Sequence, residues 1–313
     1  MGTPSRPRLF AFAQLLRLPN VFTAFADIAL AACAGIHFLG GSADVAFWGR
    51  VVLLALASGS LYLAGMVWND YFDRAEDAEA RPFRPIPSGR VTTRTAARLG
   101  VFLVLLGLGF AALAGLPGSD GWNPNPLVLA AVLTVAVLLY DGWLKRTAVG
   151  PVAMASCRFL NVLLGLTALP DGVMPLPLRL HLAGVVGMYI VGVTWFARTE
   201  EGVSRRRELL EASVVIAAAL VFALVLRARL PAEAGTVLFP YLLVGFGFYI
   251  GIPMARAINR PGSREVQAAV KRCVLGLVVL DAVLATAFVG VPGLLILLLL
   301  PPALALGKWV YST

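Results

Sequence analysis

Charge is scarce in this chain. Only 14% of its 313 residues are Asp, Glu, Lys or Arg, against about a quarter in a soluble domain. So few charges cannot cover a water-exposed surface of this size, and a soluble globular protein is excluded. Histidine is almost missing: His37 and His181 are the two present, which argues against a histidine-rich metal site. The three cysteines, Cys33, Cys157 and Cys273, lie inside apolar runs, where buried thiols and no disulfides are expected. Linkers, low-complexity tracts and any stretch polar enough for a soluble domain are also lacking. A single integral membrane domain over 1–313 is therefore expected. Apolar residues make up 59% of the chain, and Phe outnumbers Tyr 17 to 7.

A spanning helix needs about 20 mostly apolar residues. Ten stretches qualify, roughly 20–39, 47–68, 97–115, 127–144, 149–168, 181–198, 209–227, 237–256, 270–290 and 292–309. If the last only dips into the bilayer, the count is nine. The predicted fold class is an all-α polytopic bundle of nine or ten transmembrane helices. Arg6, Arg8 and Arg17 precede an apolar run, and Leu30-Ala31-Ala32-Cys33 has the look of a lipoprotein cleavage box. Asp27 interrupts that run, and the chain stays apolar to its end, so we read it as the first membrane helix.

The net charge of +9 sits in short loops between apolar runs, which reads as topology and not as a nucleic-acid surface. Basic clusters mark the N-terminus, the 69–98 loop, Lys145-Arg146, Arg198 with Arg205 to Arg207, and the segment from Arg256 to Arg272. The intervening loops near 40–46, 116–126 and 170–180 are poor in Lys and Arg, with Arg227 and Arg229 a partial exception. By the positive-inside rule the N-terminus is cytoplasmic, in a multi-pass protein of the inner (plasma) membrane.

Polar residues concentrate where the second span ends. Asn69, Asp70, Asp73 and Asp77 share one face of a helix. Three like charges there repel one another and the negative end of the helix dipole, so a cation should compensate them. Oxygen ligands at this spacing suit Mg²⁺ bridging to phosphate. The loop that follows carries Arg81, Arg84 and Arg90 among three prolines, which stiffen it. Its guanidinium forks suit phosphate. The plain alternative is an acidic helix end whose aspartates pair with Arg74, Arg81 and Arg84, and spacing alone leaves the two readings even.

The composite Asn69-Asp70-x-x-Asp73-x-x-x-Asp77, followed by Arg84-Pro85-Ile86-Pro87-Ser88-Gly89, resembles the first signature of the UbiA prenyltransferase superfamily. Arg17-Leu18-Pro19-Asn20 is similar to that family's entry to helix one. Tyr140-Asp141-Gly142-Trp143-Leu144-Lys145-Arg146 is similar to its segment after helix four. These anchor the resemblance over about the first half of the chain. It implies a UbiA-type bundle that transfers a prenyl group from an isoprenoid diphosphate to a small aromatic or lipid acceptor at the cytoplasmic side. It also implies Mg²⁺ on Asp70, Asp73 and Asp77. Asn20, Asn69, Lys145, Arg146, Tyr140 and the loop arginines would line the same pocket. Membrane lipids are the other expected partners; no nucleic acid and no obligate protein partner is expected.

The family's second Asp-rich motif is degenerate here. The corresponding stretch, Thr194 to Gly202, has no aspartate. Glu200 and Glu201 offer carboxylates, but neighbours on a helix point about 100° apart. Arg198 would attract diphosphate directly. In this respect the chain resembles the divergent UbiA-like branch called EboC. The alternative function is a catalytically divergent protein that binds or helps transport an isoprenoid-linked or aromatic metabolite.

Charges also fall within spans. One at the bilayer centre costs about 3 kcal/mol, so Asp27, Arg158 and Asp281 should face the bundle interior. Arg158 and Asn161 are expected on a cavity wall, or Arg158 paired with Asp281. A secondary transporter coupling ions through these charges ranks last, because the polar residues gather at helix ends, not near the midplane.

Overall fold

In lipid every backbone N–H and C=O has to be bonded within its own segment, so apolar runs of this length fold as helices. The computed structural model describes residues 8–116, 121–198, 205–230 and 237–311. Twelve α-helices run through them: α1 Arg8–Leu15, α2 Val21–Phe38, α3 Val45–Phe72, α4 Arg74–Ala80, α5 Thr93–Ala114, α6 Asn125–Gly142, α7 Gly150–Leu166, α8 Leu176–Ala197, α9 Arg206–Arg229, α10 Leu238–Asn259, α11 Ser263–Val289 and α12 Leu300–Tyr311. Tight 3₁₀ turns cover Leu18–Asn20, Leu144–Arg146 and Val291–Leu299.

Among the described residues, nine helical segments are long and apolar enough to cross a membrane, including Val291–Val310 as one. α7, at 17 residues, is the tenth apolar helix. It lies between α6, which ends at the polar end of the bundle, and α8, which starts at the opposite end. The chain is a multi-pass membrane protein. The last segment does not dip and return: α12 packs on α1 and on the Leu18–Asn20 turn, and the Trp309 and Phe10 rings meet edge-on at 5.6 Å.

Local chemistry fixes the helix ends. Asp44 caps α3, accepting from the Phe47 N–H at 2.7 Å, and Thr92 caps α5, accepting from Thr95 N–H at 3.2 Å. Gly290, at φ 69°, ends α11 in a conformation that favours glycine. The 28 residues of α3 reach about 42 Å at 1.5 Å per residue, past an apolar core of about 30 Å. Its last turn, with Asn69 and Asp70, therefore projects to the polar boundary.

α2, α3, α6, α7, α8 and α11 surround the interior. α5 covers α3 and α6, while α9 and α10 complete the outside. The outer helices expose apolar side chains such as Phe102, Leu105, Val221 and Phe248, as a lipid-facing surface requires. Small residues permit close approach. A Cβ on Gly192 of α8 would collide with Ile216 Cγ1 and stand 3.0 Å from the Ala212 carbonyl on α9. Gly192→Ala is thus expected to lower stability by about 1–3 kcal/mol, read as an earlier thermal unfolding transition in detergent. An unchanged transition would mean the α8–α9 contact is looser than it looks.

Candidate active site

The three aspartates are placed by the junction of α3 and α4. Asp70 lies in the last turn of α3, Asp73 between the two helices, and Asp77 in α4. The backbone hydrogen bonds from Asp73 N–H to Asn69 O and from Asp77 N–H to Asp73 O keep the helical path across the junction, so the expected common face is present.

Five cationic side chains, Arg17, Arg81, Arg84, Lys145 and Arg146, contact these three carboxylates. Arg17 Nη2 donates to Asp70 Oδ1 at 2.9 Å and to Asn69 Oδ1 at 3.2 Å. Arg84 Nη1 lies 2.6 Å from Asp77 Oδ2 and 3.5 Å from Asp70 Oδ1. Arg81 reaches Asp77 Oδ1 at 3.5 Å. Lys145 Nζ and Arg146 Nη2 hold the two oxygens of Asp73 at 2.6 and 2.7 Å. Glu76 also lies 3.5 Å from Arg146 Nη2, so five positive charges face four negative ones and the contacting groups keep one net positive charge, as an anion site requires. Asp70 and Asp77 side chains are only 5% and 3% exposed, so water screens these pairs weakly.

Arg17 has a backbone feature of its own. It is the one non-glycine residue with positive φ among the described residues, at φ 44° and ψ 47°. That conformation costs about 1 kcal/mol or more, and it turns α1 into the Leu18–Asn20 turn with the guanidinium against Asp70.

Behind the clamp lies a cavity of about 350 Å³. Arg17, Asn20, Tyr62, Tyr140, Asp141, Arg158 and Asn161 supply its polar wall, with Leu61, Leu133, Val137, Ile190 and Leu277 among the apolar residues. Arg158 Nη1 donates to Asp27 Oδ2 at 3.1 Å and Nη2 to Thr23 Oγ1 at 2.6 Å, beneath the Tyr62 ring 5.3 Å from its centroid. Asn161 Nδ2 donates to the same Asp27 oxygen at 2.7 Å and its Oδ1 accepts from Ser58 at 2.7 Å. In the half of the bundle away from the clamp, α2, α3 and the Val291–Leu299 turn form an apolar groove of about 980 Å³. Ala24 lines the cavity and Phe25 the groove, so the two follow one another along α2.

Several expectations need correction. Among the described residues no three carboxylates converge as a metal cluster. Asp73 is drawn to the Lys145-Arg146 turn, whereas Asp70 and Asp77 share Arg84. Arg158 pairs with Asp27 and not with Asp281, whose two oxygens are buried without a donor among the described residues. Arg90 braces the loop instead of facing the cavity, donating to Gln14 Oε1 at 2.8 Å and to the Phe83 carbonyl at 2.6 Å. Arg198 donates to the carbonyls of Thr147 and Ala148, so it ties down the turn that carries Lys145 and Arg146. Glu200 and Glu201 lie outside the described residues.

Three residues of the cavity's polar wall, Arg17, Tyr62 and Asp141, escaped the reading of the sequence as site residues. Arg17 looked like a topology signal, although the Arg-Leu-Pro-Asn run was the clue. Asp141 was visible only as part of the segment that ends in Lys145-Arg146.

Mg²⁺ takes oxygen ligands and is commonly held by one or two carboxylates plus phosphate. Asp70 and Asp77 present that donor set around a position already favourable to a cation, where Arg84 Nη1 now sits. These two carboxylates fit the ion; Asp73, held by Lys145 and Arg146, does not join them at one point.

Comparison with known proteins agrees with this architecture. Over 108 residues the chain is 32% identical to the digeranylgeranylglyceryl phosphate synthase of Korarchaeum cryptofilum, covering 34% of this chain and 36% of the relative. Over 158 residues it is 31% identical to that of Saccharolobus solfataricus, covering 50% and 51%. These matches thus span about a third to a half of the curated relatives. A UbiA homologue from Aeropyrum pernix superposes with a TM-score of 0.64 at 16% identity, over 84% of this chain and 96% of that one. One from Archaeoglobus fulgidus, bound to GPP and Mg²⁺, gives 0.61 at 14% identity, over 88% and 99%. At such identities the likeness establishes the fold. The model of the UbiA prenyltransferase family matches residues 28–265, well over half of the sequence, and the chain belongs to that family.

Proposed function

We propose that this protein transfers a prenyl group from an isoprenoid diphosphate to an aromatic or lipid acceptor, with Mg²⁺, at the cytoplasmic side of the inner membrane. The observation that carries the reading is the cationic clamp on three aspartates at the mouth of a cavity with apolar walls. The A. fulgidus homologue bound to GPP and Mg²⁺ supports the same donor chemistry. The basic loops at the clamp end support a cytoplasmic N-terminus.

A diphosphate entering the clamp competes with Asp70, Asp73 and Asp77 for Arg17, Arg84, Lys145 and Arg146. Mg²⁺, held by Asp70 and Asp77, would supply charge neutralisation at the leaving diphosphate. The cations are in place before charge develops, so little reorganisation accompanies departure. Lys145 and Arg146, steadied by Arg198, present their charges to the diphosphate oxygens. The prenyl chain lies along the apolar wall formed by Leu61, Leu133 and Leu277, away from water that would capture the allylic cation.

One observation favours a divergent, binding-only protein: Arg198 is committed to backbone carbonyls, in the stretch where the resemblance leads one to expect a second acidic motif. Pyrophosphate release separates the two readings. With geranylgeranyl diphosphate and a lipid or phenol acceptor, the purified protein is expected to release pyrophosphate, and EDTA should slow release by about 10²-fold or more. Binding of the donor with no release, in any acceptor, would overturn transfer; full release in EDTA would overturn the metal.

A further inference from the structure

We propose that Asp141 is the acceptor's anchor: it receives the acceptor's hydroxyl at its cavity-facing oxygen and takes the proton as the new bond forms. The inference rests on the transfer reading above and extends it to the acceptor.

Asp141 is the penultimate residue of α6 and is 2% exposed. Its Oδ1 accepts from Asn69 Nδ2 at 3.0 Å. No described residue donates to its Oδ2, and Asp141 lines the cavity. The cations nearest in charge, Lys145 and Arg17, are engaged by Asp73 and Asp70. Oδ2 is not among the fully buried unpaired oxygens, so it opens on the cavity and has acceptor capacity to spare. A donor on a ligand would complete it.

Gly65 on α3 faces Asp141 and leaves room beside the carboxyl: a Cβ there would crowd Val137 Cγ1 at 3.0 Å and meet Oδ2 at an ordinary contact distance of 3.8 Å. Asn69 also ties the carboxyl to the clamp, since its Oδ1 accepts from Arg17 while its Nδ2 donates to Asp141. The chain Asp141–Asn69–Arg17–Asp70 sets the open oxygen beside the place where diphosphate departs. An anionic group would be repelled there, whereas a neutral hydroxyl supplies the missing donor. Arg158 does not reverse this preference, because Asp27 neutralises it.

In the reaction, the bond between the prenyl C1 and the diphosphate oxygen breaks with its electron pair leaving on diphosphate. A lone pair of the acceptor oxygen forms the new C1–O bond, and its proton passes to Asp141 Oδ2.

The test uses the full-length protein in detergent, with a 1-alkylglycerol and its methyl ether as probes and an inert prenyl thiolodiphosphate holding the donor site. The wild-type protein is expected to bind the alcohol about tenfold tighter than the ether, the worth of one charge-assisted hydrogen bond. Asp141→Leu should erase that preference while binding the thiolodiphosphate as the wild type does. Asp141→Asn keeps its amide oxygen on Asn69 Nδ2 and turns its NH₂ toward the cavity, where alcohol and ether oxygens accept equally, so it too should lose the preference, and it should lower kcat by about 10²-fold. Equal binding of alcohol and ether by the wild type, or an Asp141→Asn variant with unchanged kcat, would overturn the proposal. So would an Asp141→Leu variant whose thiolodiphosphate affinity falls with the preference, since Asp141 would then only hold Asn69. Retained discrimination of alcohol from ether, with no pyrophosphate release by the wild type, would overturn transfer and support the hydroxyl site.

Discussion

Asp70→Ala is expected to reduce transfer by about 10²–10³-fold in kcat/KM. Asp70 is the point where the clamp closes: its Oδ1 faces both Arg17 and Arg84, and it is one of the two carboxylates that suit the metal. The same substitution should have an opposite effect on a simpler observable. Without metal, Asp70 competes with an incoming anion for the two arginines. Removing it should tighten the binding of inorganic pyrophosphate to metal-free protein, while abolishing the gain that Mg²⁺ gives the wild type. A general loss of folding would weaken both. Titration calorimetry with pyrophosphate, in EDTA and in Mg²⁺, reads the two effects separately. An Asp70→Ala protein that keeps half its transfer rate would show that the carboxylate is only structural.

Arg158→Met is expected to be the most damaging substitution to the fold itself. Arg158 crosses from α7 to α2, where it donates to Asp27 and Thr23. Asp27 is 0% exposed. With Arg158 gone, its carboxylate keeps Asn161 as a donor but no cation. Breaking one side of a buried ion pair costs about 3–5 kcal/mol, and the membrane interior offers no water to soften it. The variant should unfold at a markedly lower temperature in detergent, and much of it should be lost on extraction. The double variant Asp27→Asn with Arg158→Met removes both charges, so its loss should be smaller than the sum of the two single losses. If Arg158→Met were as stable as the wild type, the pair would not be what joins α2 to α7.

How much could be read from residue order follows from the range of each contact. The membrane helices were legible because apolar runs and lipid leave the backbone few options, although boundaries moved by several residues: α11 begins at Ser263, not near 270. The face of Asn69, Asp70, Asp73 and Asp77 was legible because helical spacing is local. What those residues touch was not. Arg17 lies 53 residues from Asp70, Asp141 lies 72 from Asn69, and Arg158 lies 131 from Asp27. Those partnerships exist because α2, α3, α6 and α7 pack side by side, and no local pattern encodes that. Arg90 and Arg198 illustrate the opposite error. Both have the charge for phosphate, yet each has backbone carbonyls within reach: Arg90 braces its own loop, and Arg198 ties down the turn after Lys145-Arg146. Asp281 was expected beside Arg158 by charge alone, but α2 placed Asp27 in that position.

The central claim is that a diphosphate headgroup is gripped by this cationic clamp while its tail occupies the apolar cavity behind it. Equilibrium binding of an inert C20 thiolodiphosphate, compared with the C20 alcohol and with pyrophosphate alone, tests it directly. The account predicts that the intact analogue binds at least about 10²-fold tighter than either part, since linked parts bind with a high effective concentration. It also predicts that Mg²⁺ tightens the analogue and pyrophosphate but leaves the alcohol unchanged. Equal affinity for the analogue and the plain alcohol would contradict it, because the clamp would then contribute nothing to recognition.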